Sequence, residues 1–208
     1  VSIEVKICGI NDEAALRTAV EHGARYVGFV FYAPSRNAVT PEAALRLAAL
    51  VPKPVTKTGL FVDATDDELR AVTKAVPLDL IQLHGKETPA RVAEVRKITG
   101  LPVMMAIRLV NAAALDAVPA YEAVADRLLF DSRAGAEASG GPLDWTLLKG
   151  RTFKKPWLLA GGLNAENLAE AVKISGARAI DVSSGVEDRP GHKSPDKIRE
   201  FLTIAKRL

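Results

Sequence analysis

The chain has 208 residues, 48% hydrophobic and 25% charged, which is enough apolar matter to bury a full core in one domain and the wrong composition for a disordered segment. The net charge of +3 mildly favours anionic partners, but the basic residues are scattered and no basic run interleaves with aromatics, which argues against a nucleic-acid surface. The single cysteine excludes an internal disulfide, no apolar run reaches membrane-spanning length, and no basic segment precedes an apolar leader, so a cytoplasmic protein with no membrane partner is expected.

Strand-like apolar runs alternate with helical periodicity along the chain. The strands are expected at 3–8, 26–31, 58–63, 79–83, 103–108, 127–131, 157–160 and 178–182. Helices are expected to begin near Asp12, Pro41, Asp66, Thr88, Asn111, Asp144, Asn164 and Ser194. Asn11-Asp12-Glu13, Thr40-Pro41-Glu42 and Ser194-Pro195-Asp196 are clear start signals. The fifth and sixth helices read as short, interrupted by Pro119 and Pro142. Gly23-Ala24-Arg25 and Gly176-Ala177-Arg178 echo each other, each glycine suited to close a helix in a left-handed conformation before a strand.

Eight strand–helix units of about 26 residues leave little room for loops, and no linker divides them. An open dinucleotide-binding sheet calls for G-x-G-x-x-G after its first strand, whereas Cys8-Gly9-Ile10-Asn11 stands there. The expectation is one α/β domain over residues 1–208, a compact (β/α)₈ TIM barrel.

In such barrels reactive groups sit at the C-terminal strand ends. Alternation turns Val5, Ile7, Ile81, Leu83, Leu128 and Phe130 toward the helices, leaving Lys6, Cys8, Gln82, His84, Leu129 and Asp131 inward. Strands five and eight add Arg108 and Asp181. Polar residues at strand ends, where apolar packing is the default, mark a candidate active site. Each also has a plainer reading. Cys8 suits a small core residue, Asp131 beside Ser132-Arg133 a cap or ion-pair partner, His84-Gly85 a turn, and Asp181 a plug bonded to backbone amides. Glu4 and Lys6 are expected to pair with each other inside the barrel, and His22 to be structural.

Two glycine-bearing turns follow strands seven and eight, at Gly161-Gly162 and Ser183-Ser184-Gly185. Backbone amides approach an anion closely at glycine, and this is where barrels of this kind hold phosphate. A phosphorylated small molecule is the expected ligand. The three histidines (His22, His84, His192) lack metal-ligand spacing, and no Walker-type loop occurs, so neither a metal nor a cofactor is expected.

Lys6-Ile7-Cys8-Gly9-Ile10, Gly28-Phe29-Val30-Phe31-Tyr32, Gln82-Leu83-His84-Gly85, Ala106-Ile107-Arg108, Leu158-Leu159-Ala160-Gly161-Gly162-Leu163 and 181–187 (DVSSGVE) occur in that order over essentially the whole chain. In these the chain resembles the phosphoribosylanthranilate isomerases. The resemblance implies a (β/α)₈ enzyme of tryptophan biosynthesis that works without a cofactor. Its reaction is the Amadori rearrangement of N-(5-phosphoribosyl)anthranilate to 1-(2-carboxyphenylamino)-1-deoxyribulose 5-phosphate. It further implies Cys8 as general base, Asp131 as general acid and Arg36 on the anthranilate carboxylate. Gln82, His84, Arg108 and Asp181 become substrate-binding candidates, with phosphate on Gly161, Gly162, Ser183, Ser184 and Gly185. The oligomeric state is left open.

Three departures from the family pattern stand out. The glycine-rich stretch before Asp144-Trp145 is short, no Pro separates Ser35 from Arg36, and Met105 replaces a frequent Lys. The chemistry implied needs a neutral Asp131 and an ionised Cys8 together, against ordinary values of about 3.9 and 8.5. The pocket is therefore expected to favour the thiolate and to keep the carboxyl protonated by desolvation. Three rivals remain: the related histidine-pathway isomerase, whose base is an Asp where this chain has Cys8, a phosphosugar-binding barrel without turnover, and a structural subunit whose strand-end polar groups only satisfy one another.

Overall fold

The computed structural model describes residues 3–132 and 143–208. Its strands are β1 (Glu4–Cys8), β2 (Tyr26–Val30), β3 (Thr56–Phe61), β4 (Leu80–Leu83), β5 (Val103–Arg108), β6 (Arg127–Asp131), β7 (Trp157–Leu159) and β8 (Ala179–Val182). They close in chain order into a barrel, every neighbouring pair parallel, with β8 returning to β1. The closure aligns Lys6 with Asp181 across 175 residues of sequence.

The helices are α1 (Glu13–Glu21), α2 (Pro41–Ala48), α3 (Asp66–Ala75), α4 (Pro89–Thr99), α5 (Val118–Glu122), α6 (Leu168–Ser175) and α7 (Pro195–Ala205). Asp12, Thr40, Thr65, Thr88 and Ser194 cap five of them through side-chain oxygens, and Thr65 with Glu68 forms a reciprocal capping box. Each such cap contributes about 1 kcal/mol. Gly23 (φ +87°) and Gly176 (φ +74°) both turn left-handed before the next strand, as their shared context predicts.

Alternation sorts the strands into two cores. Val5, Ile7, Ile81, Leu83, Leu128 and Phe130 pack outward against the helices. Tyr26, Leu80, Met104, Ala106, Leu129 and Leu158 fill the barrel interior. Cys8, Val30 and Leu60 form a smaller cluster at its mouth.

The structure differs from expectation in four places. β3 begins at Thr56 and ends at Phe61 rather than spanning 58–63, because Asp63 turns to φ +49° and leaves the extended region. Among its described residues the sixth unit carries a 3₁₀ turn, Trp145–Leu148, and no α-helix. The helix expected from Asn164 starts at Leu168, since the Asn164 side chain accepts from the amides of Glu166 and Asn167 and holds a turn there. The expected Glu4–Lys6 pair does not form. Lys6 goes to its register partner Asp181, while Glu4 accepts from the Tyr26 hydroxyl and neighbours Arg25. Arg133, Pro142 and the glycine-rich 139–141 lie outside the described residues.

Beyond β8 the chain makes a 3₁₀ turn, Ser184–Val186, and a small hairpin of β9 (Glu187–Arg189) and β10 (His192–Lys193) before α7. No helix among the described residues is long and apolar enough to cross a membrane.

Candidate active site

A cavity of about 660 Å³ opens at the C-terminal ends of the strands. Of the residues singled out from the sequence, Cys8, Arg36, His84, Asp131, Gly161, Gly162, Asp181, Ser183 and Ser184 line it. Cys8 and Asp131 end β1 and β6, separated on one side by β7 and β8, so they reach the same space from different parts of the rim.

Beneath Cys8 lies a buried ion pair. Lys6 Nζ is 2.8 Å from Asp181 Oδ1, with no exposure of the Lys6 side chain. Gly28 on β2 makes this possible: a Cβ there would fall 3.1 Å from Lys6 Nζ and 3.2 Å from Cys8 Sγ. Burial alone would lower the Lys6 ammonium, but Asp181 and Cys8 push it up to about 12, so it stays charged. For Cys8 burial wins and raises the thiol above its ordinary value, against the opposing pull of Lys6. This corrects the expectation that the pocket favours the thiolate: desolvation outweighs the nearby ammonium.

At the opposite rim, His84 Nε2 lies 3.4 Å from Asp131 Oδ2. The His84 ring is held from below by Gln82, whose amide nitrogen is 2.9 Å from Nδ1. Gln82 is fully buried and does not line the cavity, so it reaches the mouth only through His84. Arg108 does not line the cavity either. Alternation aims its Cα inward beside Asp131, but at the last position of β5 the long side chain is exposed.

The glycine-bearing turns divide in role. Gly161 and Gly162 line the cavity, Gly161 tucked against the end of β6 where a Cβ would meet the Ser132 amide at 3.0 Å. Gly185 is absent from the lining. A Cβ on it would sit 1.9 Å from the Leu163 carbonyl oxygen, so this glycine lets the turn after β8 close onto the turn after β7.

The loop that carries Arg36 is tied at the rim, through Asn37, by a network the sequence reading missed. Glu187 accepts from Lys193 Nζ at 2.5 Å, from Asn37 Nδ2 at 3.0 Å and from the Gly191 amide at 3.2 Å. Although burial alone would raise it, Lys193 and Asn37 hold the Glu187 carboxyl below its ordinary value. Lys193, fully buried, also reaches the Ser183 hydroxyl at 3.1 Å. The β9–β10 hairpin thus ties the Arg36 loop to the turn after β8. A Lys next to a histidine in a loop looks solvated in sequence; only the hairpin buries it.

A sequence model of the family described as N-(5'-phosphoribosyl)anthranilate (PRA) isomerase matches residues 5–203. The N-(5'-phosphoribosyl)anthranilate isomerase of Rhodospirillum centenum is 56% identical over 99% of both chains. That of Paramagnetospirillum magneticum is 54% identical over 98% of this chain and 97% of its own. The crystal structure of the Thermotoga maritima phosphoribosyl anthranilate isomerase superposes with a TM-score of 0.90 at 33% identity, covering 99% of this chain and 100% of that one. A phosphoribosyl anthranilate isomerase in complex with reduced 1-(o-carboxyphenylamino)-1-deoxyribulose 5-phosphate gives 0.86 at 33% identity, with the same coverage. Motif order and barrel converge with the comparisons on one assignment: the chain belongs to the N-(5'-phosphoribosyl)anthranilate isomerase family.

Proposed function

We propose that the cavity rearranges N-(5-phosphoribosyl)anthranilate to 1-(2-carboxyphenylamino)-1-deoxyribulose 5-phosphate in the cytoplasm, with Asp131 as general acid and Cys8 as general base. The observation that carries this reading is that both residues line one cavity together with Arg36 and the turns after β7 and β8. The reaction is redox-neutral: one hydrogen leaves C2 of the sugar and one is gained at C1, so the electrons never leave the substrate.

Asp131 gives its proton to the ribose ring oxygen as the C1–O bond breaks and the anilino nitrogen lone pair closes a C=N bond. The Cys8 thiolate then takes the C2 proton, and the C–H electron pair forms the enolamine while the iminium is neutralised. Tautomerisation delivers the ketone at C2. Each proton transfer of this kind supplies roughly 10²–10⁴-fold. The phosphate rests on Gly161, Gly162, Ser183 and Ser184 at the seventh and eighth strand ends, and Arg36 pairs with the anthranilate carboxylate.

The direct test is conversion of freshly prepared substrate by the protein, with Cys8→Ala as control; binding without turnover, unchanged by that substitution, would favour the non-catalytic barrel. Arg36→Ala is expected to raise KM more than it lowers kcat, because a contact made equally in ground and transition states contributes only to binding. An unchanged KM would remove Arg36 from the carboxylate. The two ionisations predict a bell-shaped pH profile of kcat/KM. Its alkaline limb is expected above the ordinary thiol range, since burial raises Cys8 and thereby the upper ionisation of the pair. A flat profile, or an alkaline limb at or below the ordinary thiol value, would count against the acid–base assignment.

A further inference from the structure

Lys6 is a buried cation that the proton transfers above do not use. It has no exposure, a single carboxylate at 2.8 Å, and a glycine opposite that keeps both its ammonium and the Cys8 sulfur free of side-chain contact from β2. A charge so buried is costly to keep, and one partner of a buried pair can be replaced with well-packed apolar residues at no loss of stability only if the other goes too. The Lys6–Asp181 pair sits one alternation below Cys8, on the cavity side of β1. A thiolate formed there would otherwise face a desolvated pocket.

We propose that Lys6 is a positioning residue of the isomerisation: its ammonium, anchored by Asp181, supplies the counter-charge that lets Cys8 exist as a thiolate base inside the barrel. This rests on the reading of Cys8 as the base, and deepens it by naming what makes that base attainable. Lys6 and Asp181 act in opposite senses on the thiol, the ammonium favouring ionisation and the carboxylate opposing it. Lys193 from β10 assists Lys6 at longer range, while Arg36, His84, Asp131 and Glu187 share the cavity from the other elements around it.

Because Cys8 is the chain's single cysteine, thiolate absorbance in the ultraviolet, with Cys8→Ala subtracted as blank, titrates this one group. Lys6→Met is expected to move the midpoint up by about one pH unit or more, a roughly tenfold loss of thiolate at any pH below it. Asp181→Asn is expected to move it down. Shifts of opposite sign would mean that the thiol feels each of the two charges. Should Lys6→Met fail to fold with its carboxylate left unpaired, the Lys6→Met/Asp181→Asn double variant removes both charges. Its midpoint is expected above the wild-type value, because the ammonium that is lost shares the space opposite Gly28 with the Cys8 sulfur. A midpoint unmoved or lowered when Lys6 is removed, or raised in Asp181→Asn, would overturn the proposal. The titration needs no substrate, so a protein without isomerase activity would sink the functional reading and leave this result standing on its own.

Discussion

Cys8→Ala is expected to fold like the wild type and to lose about 10³-fold or more in kcat, within the range a positioned general base supplies. The fold should survive because Cys8 belongs to the small cluster at the mouth with Val30 and Leu60, not to the large core between strands and helices, so only one sulfur atom's packing is lost. Matching urea midpoints for the two proteins would check this. Cys8→Ser should fall almost as far as Ala: its hydroxyl is nearly isosteric, but an alkoxide is far less accessible than a thiolate at neutral pH. If Ser or Ala retained wild-type turnover, the C2 proton must leave by another route.

Asp131→Asn is expected to lower kcat and kcat/KM together, by about 10²–10⁴-fold, with KM little changed. The amide keeps the size of the carboxyl and its place beside His84 Nε2, but has no acidic proton to give the ring oxygen. The loss therefore falls on ring opening and not on binding. Single-turnover conversion of substrate pre-bound to the variant separates the two: slow conversion with intact binding is the expected result, and a large rise in KM at unchanged kcat would make Asp131 a binding residue instead.

The face of each strand residue was legible because side-chain alternation is a local property. The parity that put Lys6, Cys8, Gln82, His84 and Asp131 inward needs only the strand's own few residues, and the packing follows it. Helix starts were legible for the same reason where Thr40, Thr65, Thr88 and Ser194 cap.

What failed depends on distant neighbours. Glu4 and Lys6 share a face and look like a pair, yet barrel closure brings Asp181 alongside Lys6 from the other end of the chain. The Lys193–Glu187–Asn37 network joins the hairpin after β8 to the loop after β2, and nothing in either segment alone announces the other. Gly185 was read as an approach point for phosphate; its position against Leu163 gives a packing reason instead. Arg108 shows the remaining limit: alternation aims the Cα, but a long side chain at a strand's last residue is free to leave the mouth.

The claim that one thiol and one carboxyl serve the same sugar is tested most directly with substrate carrying deuterium at C2, followed for loss of the label in a single turnover. The account predicts rapid loss with the wild type and loss at least about a hundredfold slower with Cys8→Ala. Departure of the label from C2 at the wild-type rate in that variant would contradict it.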